Sequence, residues 1–413
     1  MDPSTIGVIG VAFLLAFIAI GVPIAFSMAV VGIVGTSIIV GFPQTVVQIG
    51  LNSWAVASDF VLVALPMFIL MGQLVFHFRI AEDLYETVHK WLGRLPGGLA
   101  ITAVVSSAGF GAVTGVSAAS VATMGAMTMP EMRRYNYDDR LATGSLAISG
   151  TLAILIPPSV LLVFYGIWTE TSIGRLFIAG IVPGILLSLS FVLLIYIRCV
   201  INPKLGPVGP SYSWTERFRS LNKLLPVLAI FIIVIGGIYL GIVTPTEASA
   251  IGVLGVLLVG LLMRRITWPA LRDSLIDTGI TSSMIFMIII GGHIISRFLV
   301  LTDVTSGIVD SISGSGLDRY TILFLFVLMY LVLGAILDIW GMIILTMPFV
   351  FPAVMALDYD PVWFGIFVVL MTEMAMVTPP IGINVYVMHG IAPEVKLTDI
   401  FRGVMPFVAL VLV

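Results

Sequence analysis

The sequence predicts an all-α polytopic membrane protein, an inverted-topology repeat with two re-entrant hairpins and two broken helices. Three observations lead there. Of 413 residues, 59% are hydrophobic and only 10% are charged, against about 25% charged in soluble domains. With a mean hydropathy of +1.16, the apolar side chains exceed what a soluble core can hide, so lipid must solvate them. Long apolar runs are interrupted at similar places in the two halves, and Lys and Arg collect on one side of the implied membrane. This composition excludes a cytosolic enzyme, a nucleic-acid-binding protein and a secreted domain. At ~20 residues per span, the length allows roughly ten to fourteen helical crossings. A β-barrel would show short alternating segments instead.

No Lys or Arg precedes Arg79, so the run 6–26 lacks the basic flank of a secretory signal and reads as a retained first span. Spans follow at 4–22, 24–41 and 58–78, then an amphipathic stretch at 80–92. Two half-length runs, 97–112 and 118–130, flank the small, polar segment 114–120. A span at 141–166 breaks at Pro157-Pro158, and another runs 175–198. After a polar loop at 199–222 come spans at 223–241, 246–263 and 278–297. A second amphipathic stretch, 300–312, precedes short runs at 319–334 and 342–356. A span at 361–390 breaks at Pro379-Pro380. The last run, 403–413, is too short to cross a bilayer unaided, so the natural chain is expected to continue beyond Val413.

If each pair of short runs is a hairpin returning to its own side, an outside N-terminus puts sixteen of the nineteen basic residues inside. Only Arg175, Arg297 and Arg319 fall outside. The positive-inside rule selects this topology.

The halves resemble each other. Pro157-Pro158 recurs as Pro379-Pro380 at an offset of 222, and Thr128-Met129-Pro130 as Thr346-Met347-Pro348 at 218. Ile80, Leu84, Val88 and Leu92 match Val300, Val304, Ile308 and Ile312 at 220, with Asp83 and Asp303 equivalent on the polar face. The i, i+4 spacing makes each set one apolar helical face, and such helices lie in the membrane interface. The copies start on opposite sides, with the span 175–198 as the odd element.

Unpaired backbone groups cannot face lipid, so broken helices occur where protein or a cavity covers them. Prolines at 157–158 and 379–380 free carbonyls mid-span, and discontinuous helices in both halves mark a midplane site. The simpler alternative is a pair of packing kinks. The first hairpin tip offers Thr114 and Ser117 hydroxyls among small residues, which also suit helix packing. The second tip carries Asp338, an acid between apolar runs and a functional candidate, or else a helix cap. Glu247 suits a helix N-terminus. Glu373 lies six residues before Pro379, toward a cavity. Ser149, Ser159, Asn384 and Tyr165 lie near the breaks. His293 and Arg297 snorkel or pair near a span end. A single cysteine, Cys199, allows no internal disulfide, and four scattered histidines form no transition-metal motif.

"TPTEASA" at 244–250, "GAVTGVSAASVATMG" at 111–125, "IPPS" at 156–159 and "TPPIGIN" at 378–384 carry a family resemblance. Over essentially its whole length, the chain resembles the large membrane subunit of TRAP transporters, the DctM type. That resemblance implies sodium-driven, binding-protein-dependent import of an organic acid, of the C4-dicarboxylate or sialic-acid class, across a bacterial or archaeal inner membrane. It implies a scaffold plus an elevator-type transport domain. Residues 1–93 and 223–313 would be scaffold spans with their arm helices, and 94–174 and 314–393 the transport parts. Segment 175–222 would connect the halves, and 394–413 would be the last span. Na+ would be held by Thr114, Ser117, Gly334, Ala375 and Thr378. Thr114 and Ala375 stand where the family has Ser and Gly; a hydroxyl and a backbone carbonyl remain available there. A second sodium site would lie near Asp338, Gly341, Ser149 and Ile156. Ser120, Ser159, Asn384 and Tyr165 would face substrate. The implied partners are a DctQ-type small membrane subunit, a DctP-type periplasmic substrate-binding protein and the lipid bilayer, with no nucleic acid.

Three other readings compete. A stand-alone sodium/dicarboxylate carrier shares the hairpins but not "TPTEA". An intramembrane serine protease would use Ser117 in the short pattern Gly115-Val-Ser117-Ala, with His389 or His293 as base. A channel filter is built from rings of like residues, whereas this site is built from two unlike halves of one chain.

Overall fold

The computed structural model describes residues 2–314, 316–334 and 337–412, and every element among them is helical. The first half opens with α1 (Pro3–Ala19), α2 (Ile24–Val40), α3 (Phe42–Ala57), α4 (Ala64–His77) and α5 (Ile80–Leu92). A hairpin follows, α6 (Gly98–Thr114) and α7 (Ser117–Arg134), then a broken unit, α8 (Asp139–Ser149), α9 (Leu152–Leu155) and α10 (Val160–Trp168). The helix α11 (Ile173–Ile201) joins the halves. The second half holds α12 (Trp214–Tyr239), α13 (Pro245–Leu262), α14 (Trp268–Leu301) and α15 (Val304–Ser313). Its hairpin is α16 (Arg319–Leu333) and α17 (Ile339–Ala356); its broken unit is α18 (Pro361–Ala375) and α19 (Ile383–Ile391), before α20 (Leu397–Leu412).

The long helices are membrane spans by length and composition. α11 has 29 residues, about 44 Å at ~1.5 Å per residue, more than enough to cross a ~30 Å hydrocarbon layer. Leu186, Leu189 and Leu193 on α11, and Leu254, Leu258 and Leu261 on α13, remain exposed at helical spacing and make lipid-facing stripes. The halves interlock: α2 lies along α14 as α4 lies along α13. At Gly32 a side chain would meet Ile294 backbone at 2.9 Å, so the small residue sets that helix separation.

Local chemistry sets the helix starts. α13 opens with a capping box in which Thr244 N and Oγ1 donate to Glu247 at 2.8 and 2.9 Å, with Pro245 in the first turn. The "TPTEA" segment is therefore a helix-start device, as the position of Glu247 suggested. α12 starts the same way through Ser213 and Glu216.

The helix bounds depart from expectation in both halves. Residues 42–57, unassigned in the sequence reading, form α3, which bends by 58° into the helix continuing to His77. The bend follows Asp59, whose side chain accepts from Val61 N at 2.8 Å and starts a new turn. Gln44, Gln48 and Asn52 dilute the apolar signal there, which concealed the helix. In the second half α14 runs unbroken for 34 residues.

The register of the arm helices is also different. Arg79 and Asp303, both left-handed with φ of 57° and 53°, open α5 and α15. The offset is thus 224 rather than 220, and Val300 belongs to α14. A shift of four residues is about one helical turn, so an i, i+4 pattern looks the same in either register. Asp83 consequently has no counterpart in Asp303. It does not face water but is buried against the scaffold, pairing with Arg265 at 2.6 Å and Lys223 at 3.7 Å. Thr87 donates to Ser220 O at 2.9 Å, and on the hairpin side Tyr85 donates to Glu131 at 2.9 Å. The arm α5 is therefore fastened to α12 and to the α13–α14 turn on one side, and on the other it packs along α6 and touches the end of α7.

Candidate functional site

The first hairpin turns through Gly115 and Val116 alone. Gly115 has φ of +62°, and a side chain there would lie 2.9 Å from Pro158 O and 3.1 Å from Val160 N. The tip thus rests on the first helix break, where a left-handed residue without Cβ is required. Two residues on, the Ser117 hydroxyl accepts from Asn384 Nδ2 at 2.8 Å. Asn384 begins α19, and its backbone N–H donates to Met376 O at 3.0 Å across the second break. One hairpin tip therefore touches both broken units. From the other hairpin, Gly334 packs directly on Ala375 at the end of α18.

The structure gathers Ser117, Asn384, Gly334 and Ala375 around the second break. Thr378 lies within that break, half-buried, its N–H donating to Met374 O at 3.1 Å. Thr114 closes α6, donates to Phe110 O at 3.1 Å and lines a small crevice against Gly72 and Gln73 of α4.

At the second hairpin tip Asp338 caps α17, accepting from Gly341 N at 2.9 Å. This is the capping role weighed against the ligand role in the sequence, and it leaves the second carboxylate oxygen uncommitted to that bond. Ala335 and Ile336 of this tip lie outside the described residues. Ser149 bonds Ser107 at 2.9 Å and its own helix at Leu146 O, 2.8 Å. Ile156 ends α9 in an extended conformation and packs on Gly184 of α11. Trp340 meets Phe164 of α10 edge-on at 5.6 Å, joining the second hairpin to the first broken unit.

Of the residues assigned to substrate, Ser159 caps α10, accepting from Leu162 N at 3.2 Å, and Tyr165 donates to Pro361 O at 2.7 Å, tying α10 to α18. Ser120 lies one turn beyond Ser117, fully buried, its hydroxyl without a partner. Pro157, Pro158, Pro379 and Pro380 sit at the breaks, and the bond within each pair is cis. The protease pattern finds no support: Ser117 pairs with Asn384, His389 Nδ1 with Val395 O at 3.0 Å, and His293 with the Trp168 ring at 4.5 Å. His293 and Arg297 line a cavity of about 470 Å³ between α3, α10 and α14 rather than simply snorkelling.

Glu373, expected from its place before Pro379 to face a cavity, is enclosed instead. It is 1% exposed, and both carboxylate oxygens lack a hydrogen-bond partner. The signals in the sequence are an acid within an apolar run and its spacing from Pro379.

Two hairpins and two broken helices, repeated across one chain and meeting at the breaks, define a helical membrane transporter. The chain belongs to the family "Tripartite ATP-independent periplasmic transporter, DctM component", whose model matches residues 11–413. It is 33% identical over 372 residues to the C4-dicarboxylate TRAP transporter large permease protein DctM of Pseudomonas aeruginosa, covering 90% of this chain and 86% of that one. It is 30% identical over 351 residues to the sialic acid TRAP transporter large permease protein SiaM of Vibrio cholerae, covering 84% and 81%. Its fold is similar to the crystal structure of the Alcanivorax borkumensis YdaH transporter, with a TM-score of 0.61 at 12% identity over 100% of this chain and 96% of that one. These matches place the chain among multi-pass membrane permeases and not among enzymes.

Proposed function

We propose that this large permease subunit imports an organic acid anion, driven by sodium, by an elevator movement of the hairpins and broken helices against the remaining spans. The observation that carries the reading is the first hairpin tip, which contacts the first break through Gly115 and the second through Ser117. A ligand held at such a junction couples both halves, because its binding needs both in place. Ser117, Thr378 and Thr114 hydroxyls, with the helix-end carbonyls of Gly334 and Ala375, supply the hard oxygen donors that Na+ takes. A second sodium position lies by the repeat at Asp338 and Gly341, facing the first break near Ser149 and Ile156; the Trp340–Phe164 contact supports that juxtaposition. Substrate binds beside Ser120, Ser159, Asn384 and Tyr165.

In this reading 94–174 and 314–393 move, while 1–93 and 223–313 stay with the arms. The N-terminus is periplasmic, and a small DctQ-type subunit and a DctP-type binding protein complete the system. The names of the Pseudomonas aeruginosa and Vibrio cholerae relatives support a C4-dicarboxylate or sialic-acid class. The test is uptake into proteoliposomes with both partners present, measured against sodium concentration. Thr378→Val should raise the sodium needed for half-maximal uptake while assembly is unchanged. Uptake independent of sodium in the unaltered protein would remove the sodium-coupled reading.

A further inference from the structure

Glu373 lies near the end of α18, two residues before Ala375, in the protein interior. Neither carboxylate oxygen has a hydrogen-bond partner, and among the described residues none of the ion pairs involves it. A buried carboxylate without a partner is one of the most costly arrangements a protein can hold.

Its surroundings are not apolar. The side chain of Ser117 faces the carboxyl. Asn384 turns its Nδ2 toward Ser117, which leaves its own Oδ1 buried and without a partner. Ser120, on the same face of α7 one turn further, is another buried hydroxyl without a partner. Among the described residues, buried oxygens of Glu373 on α18, Asn384 on α19 and Ser120 on α7 are therefore left without a hydrogen-bond partner. Uncompensated acceptors from three separate elements are what a cation site leaves when drawn without its ion. The donor set, one carboxylate, one amide oxygen and hydroxyls, is hard and holds no sulfur or imidazole, which suits an alkali cation rather than a transition metal.

We propose that Glu373 is the anionic ligand of a bound sodium ion, completed by Asn384 Oδ1 and the Ser117 hydroxyl where the first hairpin meets the second break. The proposal rests on the sodium-coupled reading and adds to it a full negative charge that the hydroxyls and carbonyls do not provide. That charge is contributed by α18 to an ion whose other ligands sit on α7 and α19. The ion thus closes the second break onto the first hairpin, and with the ion absent the repulsion among bare oxygens loosens the same junction.

The experiment is equilibrium binding of radiolabelled sodium to the purified full-length chain, with thermal stability followed in sodium and in choline. Glu373→Gln keeps the shape and removes the charge. It should weaken sodium binding by at least about tenfold and abolish the sodium-dependent rise in melting temperature, while melting in choline stays at or above that of the unaltered chain. Sodium affinity and sodium-dependent stabilisation both unchanged in Glu373→Gln overturn the proposal and leave the sodium-coupled reading standing. An unaltered chain that binds no sodium overturns both. If Glu373→Gln does not assemble, Glu373→Asp retains the charge and withdraws it by one methylene: weakened sodium binding supports the assignment, and unchanged binding overturns it.

Discussion

Asn384 donates to the Ser117 hydroxyl at 2.8 Å although 267 residues separate them in sequence. Both side chains are buried, at 0% and 2% exposure. The bond joins the first half's hairpin to the second half's broken helix, and so a single contact spans the internal repeat. A buried bond of this kind contributes about 1 kcal/mol net, and stranding one partner costs about 1–3 kcal/mol.

Ser117→Ala and Asn384→Ala should therefore each lower stability by about 1–3 kcal/mol, and the double substitution should cost less than the sum. A double-mutant cycle from denaturation in detergent reads the coupling directly. Strict additivity would show that the two residues do not interact.

Gly115 allows neither a Cβ nor an ordinary φ. At +62°, with Pro158 O 2.9 Å from where a Cβ would stand, Gly115→Ala must strain the turn or push the tip off the first break. The expected cost is about 1–3 kcal/mol, with loss of uptake in assembled protein. Ala substitution of Gly279, which has open space around it, is the control. Equal melting temperatures for the two variants would contradict the close approach of tip and break.

At the arm α5, Arg265 is the nearest cation to buried Asp83, at 2.6 Å. Arg265→Ala leaves that carboxylate with only the distant Lys223 ammonium and should destabilise the protein by about 3 kcal/mol. Adding Asp83→Asn to Arg265→Ala should recover part of the loss. No recovery in the double variant would mean that Arg265 acts through packing alone.

The same arm should loosen in acid. Hydrogen bonds from Lys223 and Lys90 hold the Glu86 carboxyl below its usual range, and burial lowers the His89 imidazole. Both groups therefore bind protons more readily in the unfolded chain. Their stabilisation is complete above the unfolded values, about 6.5 for His and about 4.3 for Glu, and fades as pH falls, through His89 first. Hydrogen exchange across residues 80–92 should be faster at pH 5.5 than at pH 7.5 after correction for intrinsic rates. Greater protection at the lower pH would reverse the sign and would falsify this account.

Spans, hairpins and breaks were legible in the sequence because each depends on local chemistry. Membrane length dictates the apolar runs, and proline removes a helical bond wherever it stands. Glu247 at the start of α13 likewise depends only on neighbouring residues. Even so, α3 escaped notice, because its glutamines and asparagine dilute its apolar signal.

Whatever depends on a second segment needed the packed molecule. The arm helices slid by four residues without altering their periodic pattern, so only the left-handed entries at Arg79 and Asp303 fix their alignment. Asp338 reads in one dimension as either a stranded acid or a helix cap, and the packed molecule shows the cap. Glu373 gave no sign beyond its place in an apolar run and its distance from Pro379, since a residue's burial and the partners it lacks are properties of its neighbours in space. Composition and local stereochemistry determine which elements form; which oxygens face one another across them is set by contacts between residues hundreds of positions apart, and periodicity within a helix carries no information about those.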